Sequence, residues 1–347
     1  MSTRIDGRIA CWKRRIAAAA VVLSITATQV AVGQQAASEE PQSNEAAVAT
    51  EDATDSQNQN ASSSSADAAA QPPAAEQQSE TAQSIQADVE QQTRQQAAEE
   101  KESLINEAVE AVALTRQALE QLDAGKNDEA FDTLAKVAGK LELAIARNPG
   151  VAFLPVEVST TVYDVIAQVE TVEEYIKQAR KALDKGQVQV ARRILSGLAS
   201  EVVVSTTKLP VATYPLAIKK VAPLIDAGKI EEAKRQLQTA LNLLVVSDTV
   251  FPLPVLRSNL LLEEAETLAE KTDRSPEENE RLEKLLAETE HQIALGRALG
   301  YLDAERTKDL RSELKQIREK TSGGQAGKGF FDRINALFEN WGEWLGD

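Results

Sequence analysis

Three stretches of this chain repeat one another: QLDAGKNDEAFDTL at 121–134, ALDKGQVQVARRIL at 182–195 and LIDAGKIEEAKRQL at 224–237. Aligned on glycine, Asp123, Asp184 and Asp226 stand two residues before Gly125, Gly186 and Gly228, and Leu122, Leu183 and Ile225 stand three before. Ala130, Ala191 and Ala233 follow five residues after the glycine, and Leu134, Leu195 and Leu237 nine after. Apolar residues recur at helical spacing on both sides. The glycine is therefore where a helix ends, in a left-handed conformation that other residues adopt only at a cost. A short connection then sends the chain back antiparallel. The alanine lets the second helix approach the first, and the leucine fills their interface. The motif thus predicts three helical hairpins and a mainly α fold of antiparallel hairpins packed as a bundle.

A chemical reading of the same residues is weaker. The three aspartates fall at helix ends in separate hairpins, with no histidine, cysteine or second carboxylate at ligand spacing, so they make no metal site. The turn resembles that of tetratricopeptide repeats, but the glycines are 61 and 42 residues apart (186 − 125 and 228 − 186), which is not the period of a regular solenoid. A second echo lies between the hairpins. VEVSTTVY (156–163) and VVVSTTKL (202–209) are rich in β-branched residues and bordered by Pro155 and Pro210. They are expected to be short extended segments, paired as a small two-stranded ribbon or left as irregular loop.

The ends of the chain have a different character. Residues 1–33 combine a basic start (Arg4, Arg8, Lys13, Arg14, Arg15), the apolar run IAAAAVVLSITATQVAV and small residues up to Gly33, the three zones of a secretory signal cleaved near Gly33. A lasting membrane anchor is the alternative, disfavoured by a short and weakly apolar run. The expected location is periplasmic or secreted. The only cysteine, Cys11, leaves with the signal, so disulfides, thiol nucleophiles and thiolate metal sites are not expected. Cleavage removes five cations and one anion, moving the net charge from −16 to −20, and a chain that acidic is a poor nucleic-acid binder. Residues 34–99 are rich in Gln, Ala, Ser and Glu, and up to Ala98 eleven acidic residues face the single cation Arg94 with no aromatic among them. Such a segment reads as a disordered spacer, its last part running on into the first helix.

Beyond the hairpins, residues 261–320 read as a helical extension. Ser275-Pro276-Glu277-Glu278 supplies a helix start, and dense Glu, Lys and Arg supply ion pairs along exposed faces. SGGQAGKG at 322–329 reads as a flexible linker. It resembles a phosphate-binding loop only faintly, because Lys328 is followed by Gly and no strand precedes it. The tail, 330–347, places Phe330, Phe331, Ile334, Leu337, Phe338, Trp341 and Trp344 on one helical face. That face is a candidate partner-binding surface, or it docks on the protein itself, or it lies on a membrane, the last disfavoured by the tail's acidic residues. His291 is the sole histidine, and no serine stands in a nucleophile-elbow context. No catalytic residue, metal site or cofactor is predicted. The expected partners are a client or partner protein and further copies of the chain, not nucleic acid.

Between about 103 and 260, the LDAGKNDEAFDTL turn, the valine-rich segments and YPLAIKKVAPLIDAGKIEEAKRQLQTAL with its FPLPV exit resemble the YfdX family of exported bacterial proteins, Tyr214-Pro215-Leu216 being the most telling stretch. The resemblance implies a periplasmic, mainly helical protein without an accepted enzymatic activity, linked in enterobacteria to acid and multidrug stress. The function it implies is binding a partner or client in a chaperone-like or adaptor role. The alternative is a binding module for small amphiphilic compounds. The spacer, the helices beyond 260 and the aromatic tail depart from the family pattern.

Overall fold

A computed structural model describes residues 78–339. The signal segment 1–33, most of the spacer, Trp341 and Trp344 lie outside this range.

Three hairpins form, each followed by a strand. Helices α1 (Glu80–Ser84) and α2 (Gln86–Glu102) precede hairpin 1, made of α3 (Asn106–Asp123) and α4 (Asn127–Arg147), and then β1 (Phe153–Tyr163). Hairpin 2 is α5 (Val169–Asp184) with α6 (Val188–Ser196), and leads to β2 (Glu201–Pro210). Hairpin 3 has a broken first arm, α7 (Tyr214–Lys219) and α8 (Ala222–Asp226), then α9 (Ile230–Leu241) and β3 (Val245–Pro252). Pro223 breaks that arm: without an N–H it cannot continue the ladder of α7, and it starts α8 instead.

The three turns are built alike. Gly125, Gly186 and Gly228 have φ of 73°, 71° and 70°. Their N–H groups donate to the carbonyls of Leu122, Leu183 and Ile225, three residues back. The next N–H, from Lys126, Gln187 and Lys229, reaches the carbonyl five residues back at 2.8 Å in every case. This bond pair satisfies carbonyls that a helix end leaves open. Ala130, Ala191 and Ala233 are all buried beneath the turns.

The two valine-rich echoes pair antiparallel as β1 and β2, with Ser159 opposite Ser205 and Thr160 opposite Val204. The sheet has three strands, not two, in the order β1-β2-β3. The third is VVSDTVFP, a further copy of the echo in which Asp248 replaces a threonine. Val202, Val204, Thr206 and Leu209 point from the central strand into the protein, and α2 lies against β1 and β2.

Helix α2 corrects the expected spacer, whose boundary was placed at residue 99. Residues 80–102 are helical, because Ala82, Ile85 and Val89 recur on one side and all three are buried. Three small apolar anchors suffice where a ready surface receives them. The chain also does not run on into hairpin 1: it breaks at Ser103–Ile105, where the Ile105 N–H donates to the Pro155 carbonyl at 3.0 Å.

The C-terminal helices are α10 (Leu253–Ala269), α11 (Pro276–Leu299) and α12 (Ala304–Thr321). Because α10 leaves β3 directly, the expected boundary at 260 falls inside a helix. Ser275 and Glu278 form the capping box of α11, and Asp303 caps α12 by accepting from the Arg306 N–H. The stretch 322–329 is not a loose linker. The Gly327 N–H donates to the Ala269 carbonyl, and the Arg274 guanidinium donates to the carbonyls of Thr321 (3.3 Å) and Gln325 (2.7 Å). It delivers the chain to α13 (Asp332–Glu339), which packs against α10 and α12.

Candidate functional site

The aromatic tail is largely spent inside the fold. Phe331, Ile334 and Phe338 are at most 2% exposed, so these three candidate partner-binding residues belong to the protein's own core. Phe330 and Leu337 are half-buried. Asn335 donates to Glu266 at 3.1 Å, and Arg333 pairs with Glu313 at 3.1 Å, holding the helix down. An amphipathic stripe states only that a helix has a greasy side; whether the cover is internal or foreign depends on the groove left between α10 and α12.

The hairpin residues divide by hairpin. Asp123, Asp184 and Asp226 remain exposed at separate turns, and they are not brought together. Asp123 instead reaches Lys234 of hairpin 3 at 3.0 Å, and Glu231 and Asp123 together raise the Lys234 pKa above its ordinary value. Hairpins 1 and 3 meet there over one continuous core that includes Leu122, Leu134, Leu237 and Tyr214. Hairpin 2 does otherwise. Its inner side, with Val172, rests against Leu295 of α11. Leu183, Val188 and Leu195 are 48%, 57% and 46% exposed, although Leu122 and Leu134, the hairpin 1 counterparts of Leu183 and Leu195, are 1% and 5% exposed. Val188 and Leu195 lie two turns apart on one side of α6 and form an apolar rim on the molecular surface.

A buried polar network lies where the hairpin region meets the C-terminal helices. Arg257 of α10 is only 2% exposed. Its Nη1 and Nη2 donate to the two carboxylate oxygens of Asp164 at 2.9 and 2.6 Å, while its Nε–H has no acceptor. Ser200, just before β2, extends this network: its hydroxyl donates to Asp164 at 3.4 Å, its N–H to the Tyr301 hydroxyl at 3.0 Å and its carbonyl accepts from Leu253. Tyr301 in turn donates to Glu201 at 2.6 Å, and burial, with that carboxylate, pushes its phenol far above the ordinary tyrosine value. A buried, doubly bonded Arg–Asp pair costs desolvation, and removing one partner strands the other.

Two cavities of about 180 Å³ flank Arg257. One lies between the β1–α5 connection and α11 and is lined by Val165, Ala167, Glu288, His291, Gln292 and Leu295, with Ser79 and Ala82 also in its wall. The other lies under α2, beside Gln86, Val89 and Thr93. Gln292 is buried, and its Oε1 has no donor. A buried polar atom left unpaired costs about 1–3 kcal/mol. Arg257 was not singled out from the sequence, because RSNLLLEEAETLAEKTD shows it as one more cation on a charged helix. The available signal was its place in a mostly apolar run, PLPVLRSNLLL.

No group of three or more His, Cys, Asp or Glu suited to a metal occurs among the described residues, and no described helix is long and apolar enough to cross a membrane.

The hairpins and strands that frame this junction have relatives. Residues 111–250 match the family model described as YfdX protein. The chain is similar to the solved structure of Salmonella Typhi YfdX at 16% identity, covering 43% of this chain and 93% of that one with a TM-score of 0.30. No curated protein matches it. Over residues 111–250, which span all three glycine turns and reach into the third strand, the chain is similar to the YfdX family.

Proposed function

We propose that this is a non-enzymatic, exported, stress-related protein that acts by binding another protein, as an adaptor or in a chaperone-like role. The observation that carries the reading is the apolar rim of hairpin 2. A fold that buries Leu122 and Leu134 leaves Leu183, Val188 and Leu195 in water, and exposed apolar groups gathered at one place mark a binding surface. Export rests on the N-terminal sequence, and the link to stress on the family resemblance.

The test compares wild type with a Leu183→Asp/Leu195→Asp variant in crosslinked capture of partners and in suppression of client aggregation. Loss of both, with the melting temperature preserved, supports the reading. Capture and suppression that survive the substitutions would overturn it. The amphiphile alternative draws less support, since each cavity is smaller than the roughly 300–1,000 Å³ of pockets that enclose drug-sized ligands.

A further inference from the structure

The three turns share a motif but not a charge. Within nine residues of its glycine, hairpin 1 sets Arg116 and Lys126 against Glu120, Asp123, Asp128, Glu129 and Asp132. Both of these cations are paired, Arg116 with Glu157 at 3.5 Å and Lys126 with Glu129 at 3.2 Å. Hairpin 3 sets Lys219, Lys220, Lys229, Lys234 and Arg235 against Asp226, Glu231 and Glu232, and pairs Lys229 and Lys234. Hairpin 2 carries Lys177, Arg180, Lys181, Lys185, Arg192 and Arg193 against Asp184 alone. All of these cations are exposed. Lys177 lies 3.8 Å from Glu174, and the others make no ion pair among the described residues. The hairpin that leaves its leucines in water is thus also the one that leaves its cations unmatched, in a chain whose net charge is −16. On α6, Arg192 stands one turn from both Val188 and Leu195, and on α5 Arg180 stands one turn before Leu183, so each arm sets a guanidinium beside an exposed aliphatic side chain.

We infer that this rim takes an acidic amphipathic segment of a partner protein, with apolar side chains at helical spacing flanked by Glu or Asp. The inference rests on the protein-binding reading of hairpin 2 and names the chemistry of the partner. Covering Val188 and Leu195 takes Arg192 out of water with them, and a buried guanidinium left unpaired is costly. A neutral apolar partner would strand that cation, and a basic one would be repelled. A carboxylate offers the two oxygens that the guanidinium fork binds. Extended polyanions fit less well, because a membrane or a nucleic acid also meets the rest of an acidic chain, which repels it. Binding of an interfacial helix to a membrane also scales with its buried apolar area, and the large apolar side chains that α6 exposes are Val188 and Leu195 alone.

The full chain, titrated against a fluorescently labelled peptide of Leu and Glu at helical spacing and followed by anisotropy, tests this. The peptide is expected to bind about tenfold or more tighter than a matched peptide with Lys in place of Glu. Its affinity should fall as salt rises from about 50 mM to about 500 mM, since exposed charges are screened. Arg180→Glu/Arg192→Glu should weaken it by about tenfold or more, the unliganded melting temperature showing that the variant is folded. Arg180→Lys/Arg192→Lys keeps the charge and should weaken it less. Equal binding of the two peptides, an affinity indifferent to salt, or unchanged binding by the Glu variant would overturn the proposal. So would binding of phosphatidylglycerol vesicles or of a DNA duplex in preference to the acidic peptide. The two readings fail separately. Partner capture lost in Leu183→Asp/Leu195→Asp while both peptides bind alike sinks the acidic partner and keeps the rim, whereas capture that survives those substitutions sinks the rim reading itself.

Discussion

Hairpins 1 and 3 bury Leu122, Leu134 and Leu237 in one shared core, whereas hairpin 2, made from the same motif, turns Leu183 and Leu195 to solvent and leans on α11 by its other side. The turns themselves are the same in all three, to the hydrogen bond. The motif therefore encodes how a helix reverses and not what the reversed pair touches. Backbone geometry at the glycine is local and needs only the glycine. Burial of the leucine nine residues on requires a neighbour, and only two of the three hairpins have each other.

Substitutions can break this comparison or sharpen it. The largest effect is expected from Leu237→Ala, which empties a fully buried site between hairpins 1 and 3 and should cost about 2–5 kcal/mol in urea unfolding. A cost below 1 kcal/mol would mean that the shared core is not what holds these hairpins together. Next come the turns. Gly186→Ala and Gly228→Ala force alanine to φ near 70° and should cost about 1–2 kcal/mol each, alike in the packed and the exposed hairpin. Unequal costs would show that packing, not the turn, decides the conformation.

A smaller loss is expected in alkali. Burial raises the phenol pKa of Tyr214, in the core of hairpins 1 and 3, and of Tyr301, beside Ser200 on the hairpin 2 side. The folded chain keeps protons that the unfolded chain releases. Stability is therefore fully present below about pH 10 and falls as pH rises above it. Chemical unfolding at about pH 9 and 11 should show the drop, and Tyr301→Phe should shrink it; a flat profile would contradict the burial of both rings. The smallest effect is predicted for Leu195→Ala, within about 0.5 kcal/mol of wild type, because its side chain already faces water.

Much of the fold was legible where local physics dominates. Gly125, Gly186 and Gly228 announce turns because a left-handed residue is a local requirement, and the β-branched echoes announce strands for the same kind of reason. The third strand escaped because Asp248 interrupts its pattern, although Ser205 and Ser247 each stand 19 residues after their glycines (205 − 186 and 247 − 228). The separate docking of helix α2, read only as a run-on of the spacer into the first helix, escaped because its stretch is polar and is ordered against β1 and β2, a surface assembled from residues 51 to 124 positions away (153 − 102 and 210 − 86). The Arg257 junction is illegible for a stronger reason. Asp164 lies 93 residues from Arg257, and neither carries a motif; only the folded chain reveals that the cation is buried and that Gln292 lines the same cavity.

The strand order carries a consequence for how the chain assembles. Since β1, β2 and β3 lie side by side in the order of synthesis, each new strand adds to the edge left by the one before, and the sheet can lengthen without threading. The hairpins follow a different timetable. Leu122 and Leu134 must wait for Leu237, about a hundred residues later, before their core closes, and a loop that long delays the contact. For that interval hairpin 1 shows the greasy surface that hairpin 2 shows permanently. A nascent chain halted before residue 230 should therefore be stickier than the finished one.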